Sequence, residues 1–437
     1  MAQSNEPIPL GKREAKRPVS RGDAGREIMG PKWRLVILLA AGLALDYLAR
    51  LALFSVVPLW RDELHASDLV FGLVASSFLW VYGFLSPAAG FLGDRFSRRT
   101  VVIVSLTAWS VVALLTGLIT SGWQMVALRA LMAVTQVCYV PVALALIADF
   151  HGPDTRGRAS GYVQIGSSIG IFLSGLPAAW VATRLGWRSM VIVCGLAGIL
   201  LALVLVRWLP HLPALSQEKG PRASPVAIRE AVGLLRAPPA LALIAAFTMT
   251  SMAYWILFSY LPLFVYQRYH LSLAAAAFQA TFYIQIADVL AMPVYATAAD
   301  RWATSDPRNR YLACAVASTF GFPALLAVGA AHQIVILIGG LICFGGVMAS
   351  SDSSWLPMLC DVAAPRLRAT AYGLLNFFGT LAGGVAAFVT ALIMRRVGLG
   401  VIIAAAALMY VLIAGLLLLS GYVLLQRYHP SVTGSSN

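Results

Sequence analysis

The sequence predicts an all-α polytopic membrane protein, with twelve transmembrane helices in two six-helix pseudo-symmetric bundles. Three observations lead there. Apolar residues make up 59% of the 437 and charged residues only 11%, with a mean hydropathy of +0.80, so most of the chain is solvated by lipid. The apolar residues fall into twelve runs, each near the ~20 residues that a helix needs to cross a bilayer. Between the second and third runs lies the turn Gly90-Phe-Leu-Gly-Asp94-Arg95-Phe-Ser-Arg98-Arg99, and 206 residues later, between the eighth and ninth, comes its echo, Asp300-Arg301 followed by Arg308 and Arg310.

Residues 1–30 are basic and rich in Ser, Pro and Gly, the composition of a disordered tail lying against the cytoplasmic membrane face. The N-terminal bundle, 31–210, holds spans 1 to 6 over 33–57, 69–92, 100–120, 124–148, 160–183 and 188–209. A polar cytoplasmic middle loop, 211–238, divides six spans from six, and Pro225 to Arg236 within it reads as a short amphipathic surface helix. The C-terminal bundle, 239–426, holds spans 7 to 12 over 240–266, 272–297, 310–331, 333–359, 369–394 and 398–425, and a cytoplasmic tail covers 427–437. Every backbone polar group in a bilayer core needs an internal partner, so runs of this length without strict alternation are helices and not barrel strands.

Orientation follows from the cations. With both termini cytoplasmic, 24 of the 32 lysines and arginines fall in cytoplasmic segments, seven at the opposite face, and Arg50 within the bilayer; the positive-inside rule selects that arrangement, as a multi-pass protein of the plasma (inner) membrane. The net charge of +14 is then loop chemistry and requires no nucleic-acid partner. The cysteines Cys138, Cys194, Cys314, Cys343 and Cys360 lie within or at the ends of spans and read as packing residues. No metal site, cofactor or nucleophile–base set is indicated, so the chain does not read as an enzyme. The histidines sit at span ends or in loops, which argues against a histidine proton relay.

A charge at the bilayer centre costs about 2.5–3.5 kcal/mol on insertion scales and needs a reason. Asp46 and Arg50, four apart, share one face of span 1. They are either a self-neutralising ion pair, or an arginine fork for a substrate carboxylate with Asp46 as counter-ion or protonatable switch. In span 4, Arg129 lies about four residues from the outer end, within reach of the water interface for a long side chain, and is followed by Gln136, Tyr139 and Pro141. In the C-terminal half, Asp288 is accompanied by Gln279, Tyr283 and Gln285, and Asp352 stands in Ser350-Ser-Asp-Ser-Ser-Trp355, a run too polar to face lipid. Each of these aspartates either ties helices together by hydrogen bonds or binds a sugar, a cation or a proton. Glycines crowd span 5 (Gly161, Gly166, Gly170, Gly175) and span 11 (Gly373, Gly379, Gly383, Gly384), which reads as close helix packing.

The Asp94-Arg95-x-x-Arg98-Arg99 turn, its echo and the six-plus-six layout resemble the major facilitator superfamily over essentially the whole chain. Arg156-Gly-Arg158-Ala-Ser-Gly, Gly186-Trp187-Arg188 and Arg368-Ala-Thr-Ala-Tyr-Gly-Leu-Leu-Asn376-Phe-Phe-Gly look like the anion:cation symporter branch, which carries sugar acids and other organic anions; the Spinster-like branch shares several of these features. The resemblance implies that Arg50 and Arg129 bind the anion, that Gln136, Tyr139, Gln285 and Asn376 shape selectivity, and that proton coupling, where present, rests on Asp46, Asp288 or Asp352. It assigns Asp94, Arg95, Arg98, Arg99, Asp149, Asp300 and Arg301 to gating, with Asp94 near the start of span 11 and Arg98 or Arg99 near Asp149. Two departures stand out. That branch has an Asp-Arg pair eight residues before a proline; Arg50 is eight before Pro58, but Ala49 occupies the aspartate's place. It also has a glutamate seven residues after the span 4 arginine, where this chain has Gln136, which cannot titrate.

The expectation is a monomeric secondary transporter that moves a small organic anion, a sugar acid or carboxylate, by alternating access in the lipid bilayer, with protons as the candidate coupling ion. An exporter of drugs or lysolipid-like amphiphiles on the same fold would make Arg50 dispensable. A non-transporting membrane ligand sensor would signal through the tail or middle loop, neither of which is long enough for a folded output domain.

Overall fold

Twelve helices long and apolar enough to cross a membrane lie among the residues described by the computed structural model, which are 31–151, 153–209, 237–363 and 368–424. The disordered tail, the middle loop with its surface helix, and the C-terminal tail expected from sequence lie outside them, as do the side chains of Asp94 and Arg95.

Ten spans run as one helix each. They are Pro31–Ser55 (span 1), Asp68–Arg95 (2), Arg98–Thr116 (3), Trp187–Trp208 (6), Pro238–Tyr269 (7), Leu273–Ala303 (8), Arg308–Ala330 (9), Ile334–Val362 (10), Arg368–Val397 (11) and Leu399–Leu418 (12). The last passes into a π turn, Leu419–Leu424. After span 1 the chain breaks at Val56 and continues as a short helix, Val57–Glu63, with Pro58 in its first turn, a position where a missing N–H costs nothing.

Spans 4 and 5 are each broken. Span 4 is Gly122–Gln136 followed by Tyr139–Phe150. Its start is fixed by a capping box in which the Ser121 side chain and Gln124 satisfy each other's backbone N–H groups. Its break has a local cause. Pro141 has no N–H to offer the Val137 carbonyl one turn back, so the helix lapses into a turn at 137–138. Span 5 is Pro153–Ser174 and Leu176–Leu185, divided at Gly175.

The two halves repeat one another in backbone detail. The only non-glycine residues with positive φ among those described are His65 (47°), between spans 1 and 2, and His270 (51°), between spans 7 and 8. The only such glycines are Gly186 (85°), before span 6, and Gly398 (87°), before span 12. At these angles, with ψ of 152° and 140°, the glycines occupy a region closed to side chains. The same local conformations therefore recur at the same points of each six-helix bundle.

Packing rests on close backbone approach. A methyl group at Gly166 or Gly170 of span 5 would meet the carbonyl oxygens of Ala40 and Ala44 in span 1, and one at Gly345 of span 10 would meet the Ile284 carbonyl of span 8. With lipid as solvent, such contacts are what drive helices together. Between the halves, span 2 packs on span 11 through Gly72 against Ala391 and Phe388, Gly83 against Thr380 and Leu381, and Gly384 against Trp80. Span 5 packs on span 8 where Gly175 sits on Thr281 and Ala277.

These cross-contacts close one end of the molecule. There Asp68 of span 2 pairs with Arg395 of span 11 and with Arg61, Phe71 meets Tyr260 ring to ring at 5.1 Å, and the buried cores of the two halves merge. At the other end, which carries the Asp94–Arg99 turn, three polar contacts each stay inside one half. Arg98 binds Asp149, Arg99 donates to the Val206 carbonyl at 2.5 Å, and Arg310 reaches Asp300 at 2.6 Å. Phe84 (65% exposed), Tyr372 and Asp352 are all exposed on the way to that end, so the interior opens toward the motif turn.

Candidate substrate site between the halves

Span 1 brings Asp46 and Arg50 together as the i,i+4 spacing requires, with Arg50 Nη2 2.8 Å from Asp46 Oδ2 and both side chains buried. The pair is not self-sufficient. Asp46 Oδ1 and Arg50 Nε have no partner, and the guanidinium is caged by the rings of Phe78 (4.7 Å), Tyr47 (4.9 Å) and Tyr82 (5.1 Å).

Arg129, which its distance from the outer end left within reach of the interface, lies in the interior. It is 2% exposed. Its head lies 5.1 Å from the centre of the Phe78 ring and 5.3 Å from that of Phe54, and its one hydrogen-bond contact is the Met132 sulfur at 3.9 Å. The side chain points inward because the ring of Phe78 and the adjoining core offer a face to the cation within the protein. No carboxylate among the described residues pairs with it, and its Nε has no partner. Two guanidinium groups thus share one ring, and only Arg50 has an aspartate partner.

Gln136 ends the first half of span 4, two turns beyond Arg129 on nearly the same face. It is fully buried, and neither its amide nitrogen nor its oxygen has a partner. Tyr139, expected to shape selectivity, is instead a packing residue. It is fully buried, its hydroxyl donates to the Leu39 carbonyl at 3.2 Å, and it fills the space that Gly42 leaves in span 1. The bend at 137–138 turns it into the seam between spans 1 and 4.

Across the cavity, Gln285 Nε2 donates to Asp288 Oδ2 (3.3 Å) and to Ser168 Oγ of span 5 (3.1 Å). Asp288 is 4% exposed, and its Oδ1 and the Gln285 Oε1 have no partner. Asp352 is exposed to the opening and has no hydrogen-bond or ion-pair partner among the described residues. Its electrostatic neighbours are Tyr47 of span 1, Tyr254 of span 7, Asp288 of span 8 and Tyr372 of span 11. Beside it in sequence, Ser351 and Ser354 are buried against Cys314 of span 9. Asn376 is half-buried and spends its amide on the Tyr372 carbonyl at 3.1 Å.

Sequence reasoning missed Tyr254, as it missed the rings around Arg50. It lies within electrostatic reach of Arg50, Tyr47, Asp288 and Asp352 and stacks against Phe258 with ring centres 4.2 Å apart, so it stands between the cationic and anionic walls. Its only signal was a phenol inside an apolar run. Of the gating set, Arg98, Arg99, Asp149 and Asp300 have the partners given above. Arg301 is exposed, and Arg310 takes the Asp300 partnership instead.

Twelve spans in two repeated halves around a buried polar site define a membrane transporter. The chain belongs to the Major Facilitator Superfamily, whose family model matches residues 39–387. It is 25% identical to an MFS-type efflux pump of Mycolicibacterium smegmatis over 83% of this chain and 85% of that protein. It is 24% identical to a probable L-galactonate transporter of Escherichia coli over 86% and 88%. Its match to protein spinster homolog 1 of Xenopus tropicalis, 29% identical, spans 39% of this chain and 33% of that protein. The fold is similar to the crystal structure of a bacterial homolog of the human lysosomal transporter Spinster, with a TM-score of 0.74 at 17% identity over 93% of this chain and 99% of that one.

Proposed function

We propose that the protein transports a small organic anion, a sugar acid or related carboxylate, by alternating access, with the motif turn and both termini on the cytoplasmic side of the plasma membrane. The observation that carries this reading is Arg129, a buried cation with no carboxylate partner beside the already paired Arg50. An unpaired buried charge is costly unless a ligand neutralises it, and a guanidinium holds a carboxylate through paired charge-assisted bonds. Gln136, with both amide atoms unpartnered, suits a substrate hydroxyl. Similarity to the probable L-galactonate transporter supports the same substrate class. Because Gln136 cannot titrate, proton coupling falls to Asp46, Asp288 or Asp352. Conversion to the other access state would part Asp68 from Arg395 and draw the motif ends of the halves together.

The test is uptake of a radiolabelled aldonate or hexuronate into vesicles holding the full chain, beside Arg50→Ala and Arg129→Ala. Saturable uptake lost in both variants is expected. Uptake that survives both variants overturns the reading. A second reading, efflux of amphiphiles, draws on the aromatic wall of Phe84, Phe377 and Phe378 and on similarity to the mycobacterial pump; it predicts stabilisation by lysolipids that Arg50→Ala leaves intact.

A further inference from the structure

The two walls of the cavity carry opposite charge. On the N-terminal side Arg50 and Arg129 share the face of Phe78, and Asp46 pairs with Arg50 alone, leaving one cation in excess. On the C-terminal side Asp288 and Asp352 stand within electrostatic reach of each other, and no lysine, arginine or histidine among the described residues pairs with either. Tyr254 lies between, in reach of Arg50 and of both aspartates. Each side has buried polar atoms without partners: Arg129 Nε and both Gln136 amide atoms on one, Gln285 Oε1 and Asp288 Oδ1 on the other.

Resting on the organic-anion reading above, we propose that this asymmetry makes Asp352 a specificity residue: the site admits a monocarboxylate with a hydroxyl-bearing far end and rejects a dicarboxylate of the same length. The first carboxylate neutralises the excess cation at Arg129. A second one, carried across the cavity, meets Asp352, whose exposed side chain is the foremost charge on that wall. Hydroxyls at the same place can donate to Asp352 and to the free Gln285 oxygen. Even at roughly 10 Å and an effective dielectric near 20, two like charges repel enough for a loss of affinity of at least about tenfold, and closer approach costs more.

Galactonate and galactarate test this, since they share a six-carbon chain and differ only in a terminal hydroxymethyl against a carboxylate. Binding to the purified full chain is measured for both acids in the wild type, Asp352→Asn, Asp352→Ser and Arg50→Ala. Galactonate is expected to bind at least about tenfold tighter than galactarate, with the ratio falling to about threefold or less in both Asp352 variants. The serine variant extends an existing serine run and guards against misfolding of the first. Equal binding of the two acids in the wild type, lost in Arg50→Ala, overturns the specificity role and leaves the anion site standing. A ratio unchanged in both Asp352 variants also overturns it. If neither acid binds, the substrate reading and this inference fall together.

Discussion

Gln285 joins the two halves of the molecule to Ser168 through the same amide nitrogen that serves Asp288. Its removal has two consequences, one at the interface and one at a buried carboxylate. Gln285→Leu is expected to cost about 1–3 kcal/mol, because Asp288 loses its donor. Ser168→Ala, which removes only the cross-half bond, costs about 1 kcal/mol. Chemical denaturation or thermal melting of the two variants checks the order; a larger loss from Ser168→Ala would contradict it.

Arg129→Gln should separate stability from function. The variant removes a buried cation that no carboxylate balances, and with it the desolvation penalty of an uncompensated buried ion, of the order of several kcal/mol. The ligand-free variant is expected to melt higher than the wild type and to gain nothing from an organic acid that stabilises the wild type. A lower melting temperature would mean that the cage of Phe54 and Phe78 already offsets the cost of the charge.

Asp68 is shared by Arg61 of its own half and Arg395 of the other. An ion pair this near the surface is worth about 1 kcal/mol, and 1 kcal/mol shifts a two-state population about fivefold. Asp68→Asn is therefore expected to raise the fraction open at that end. Spin-label distances across the ends of spans 2 and 11 read it out, and an unchanged distribution would remove Asp68 from the gate.

Asp306, between spans 8 and 9, accepts from the Arg308 side chain at 2.7 Å and from the Arg308 backbone N–H at 2.9 Å, and the side-chain bond foremost holds its carboxyl below the ordinary carboxylate range. The folded value is depressed, so the unfolded chain binds more protons. The contribution is complete above the unfolded value of about 3.9 and disappears as pH falls through the folded one. Asp306→Asn is expected to melt below the wild type near neutral pH, with the gap closing in acid. A gap that widens in acid would reverse the assignment.

Gly398→Ala and Gly186→Ala should each destabilise by about 1–3 kcal/mol, since both positions require a conformation essentially closed to side chains. Neither glycine has any atom within 4 Å of where the methyl would sit, so the loss would measure backbone strain alone. Thermal melting equal to the wild type would exclude it.

The spans were legible because lipid leaves few solutions for an apolar run, and the Asp46–Arg50 pair because helix periodicity alone puts residues four apart in contact. Depth along the run left Arg129 open between the water interface and the interior. Counting residues from the end of a run locates the backbone, but the guanidinium is placed by Phe78, which belongs to another span. The break after Gln136 had Pro141 as its only sign, and without the bend Tyr139 would share the face of Gln136 instead of entering the seam with span 1. Tyr47, Phe78, Tyr82 and Tyr254 were not legible at all. An aromatic residue in an apolar run has the same sequence whether it faces a fatty-acid tail, a neighbouring helix or a cavity, and only the packing of both halves decides which.

Span 4 is two rods and not one. Arg129 and Gln136 ride on the first, while Asp149, which holds Arg98 at the motif end, rides on the second, the 12-residue helix Tyr139–Phe150. The missing N–H of Pro141 sets a fulcrum between them, at the depth of the unpartnered glutamine. A rod of that length reaches about 18 Å, so a few degrees of bend at the fulcrum displaces its far tip by more than an ångström. Whatever engages Gln136 thus acts on the short arm of a lever whose long arm ends at the mouth of the cavity.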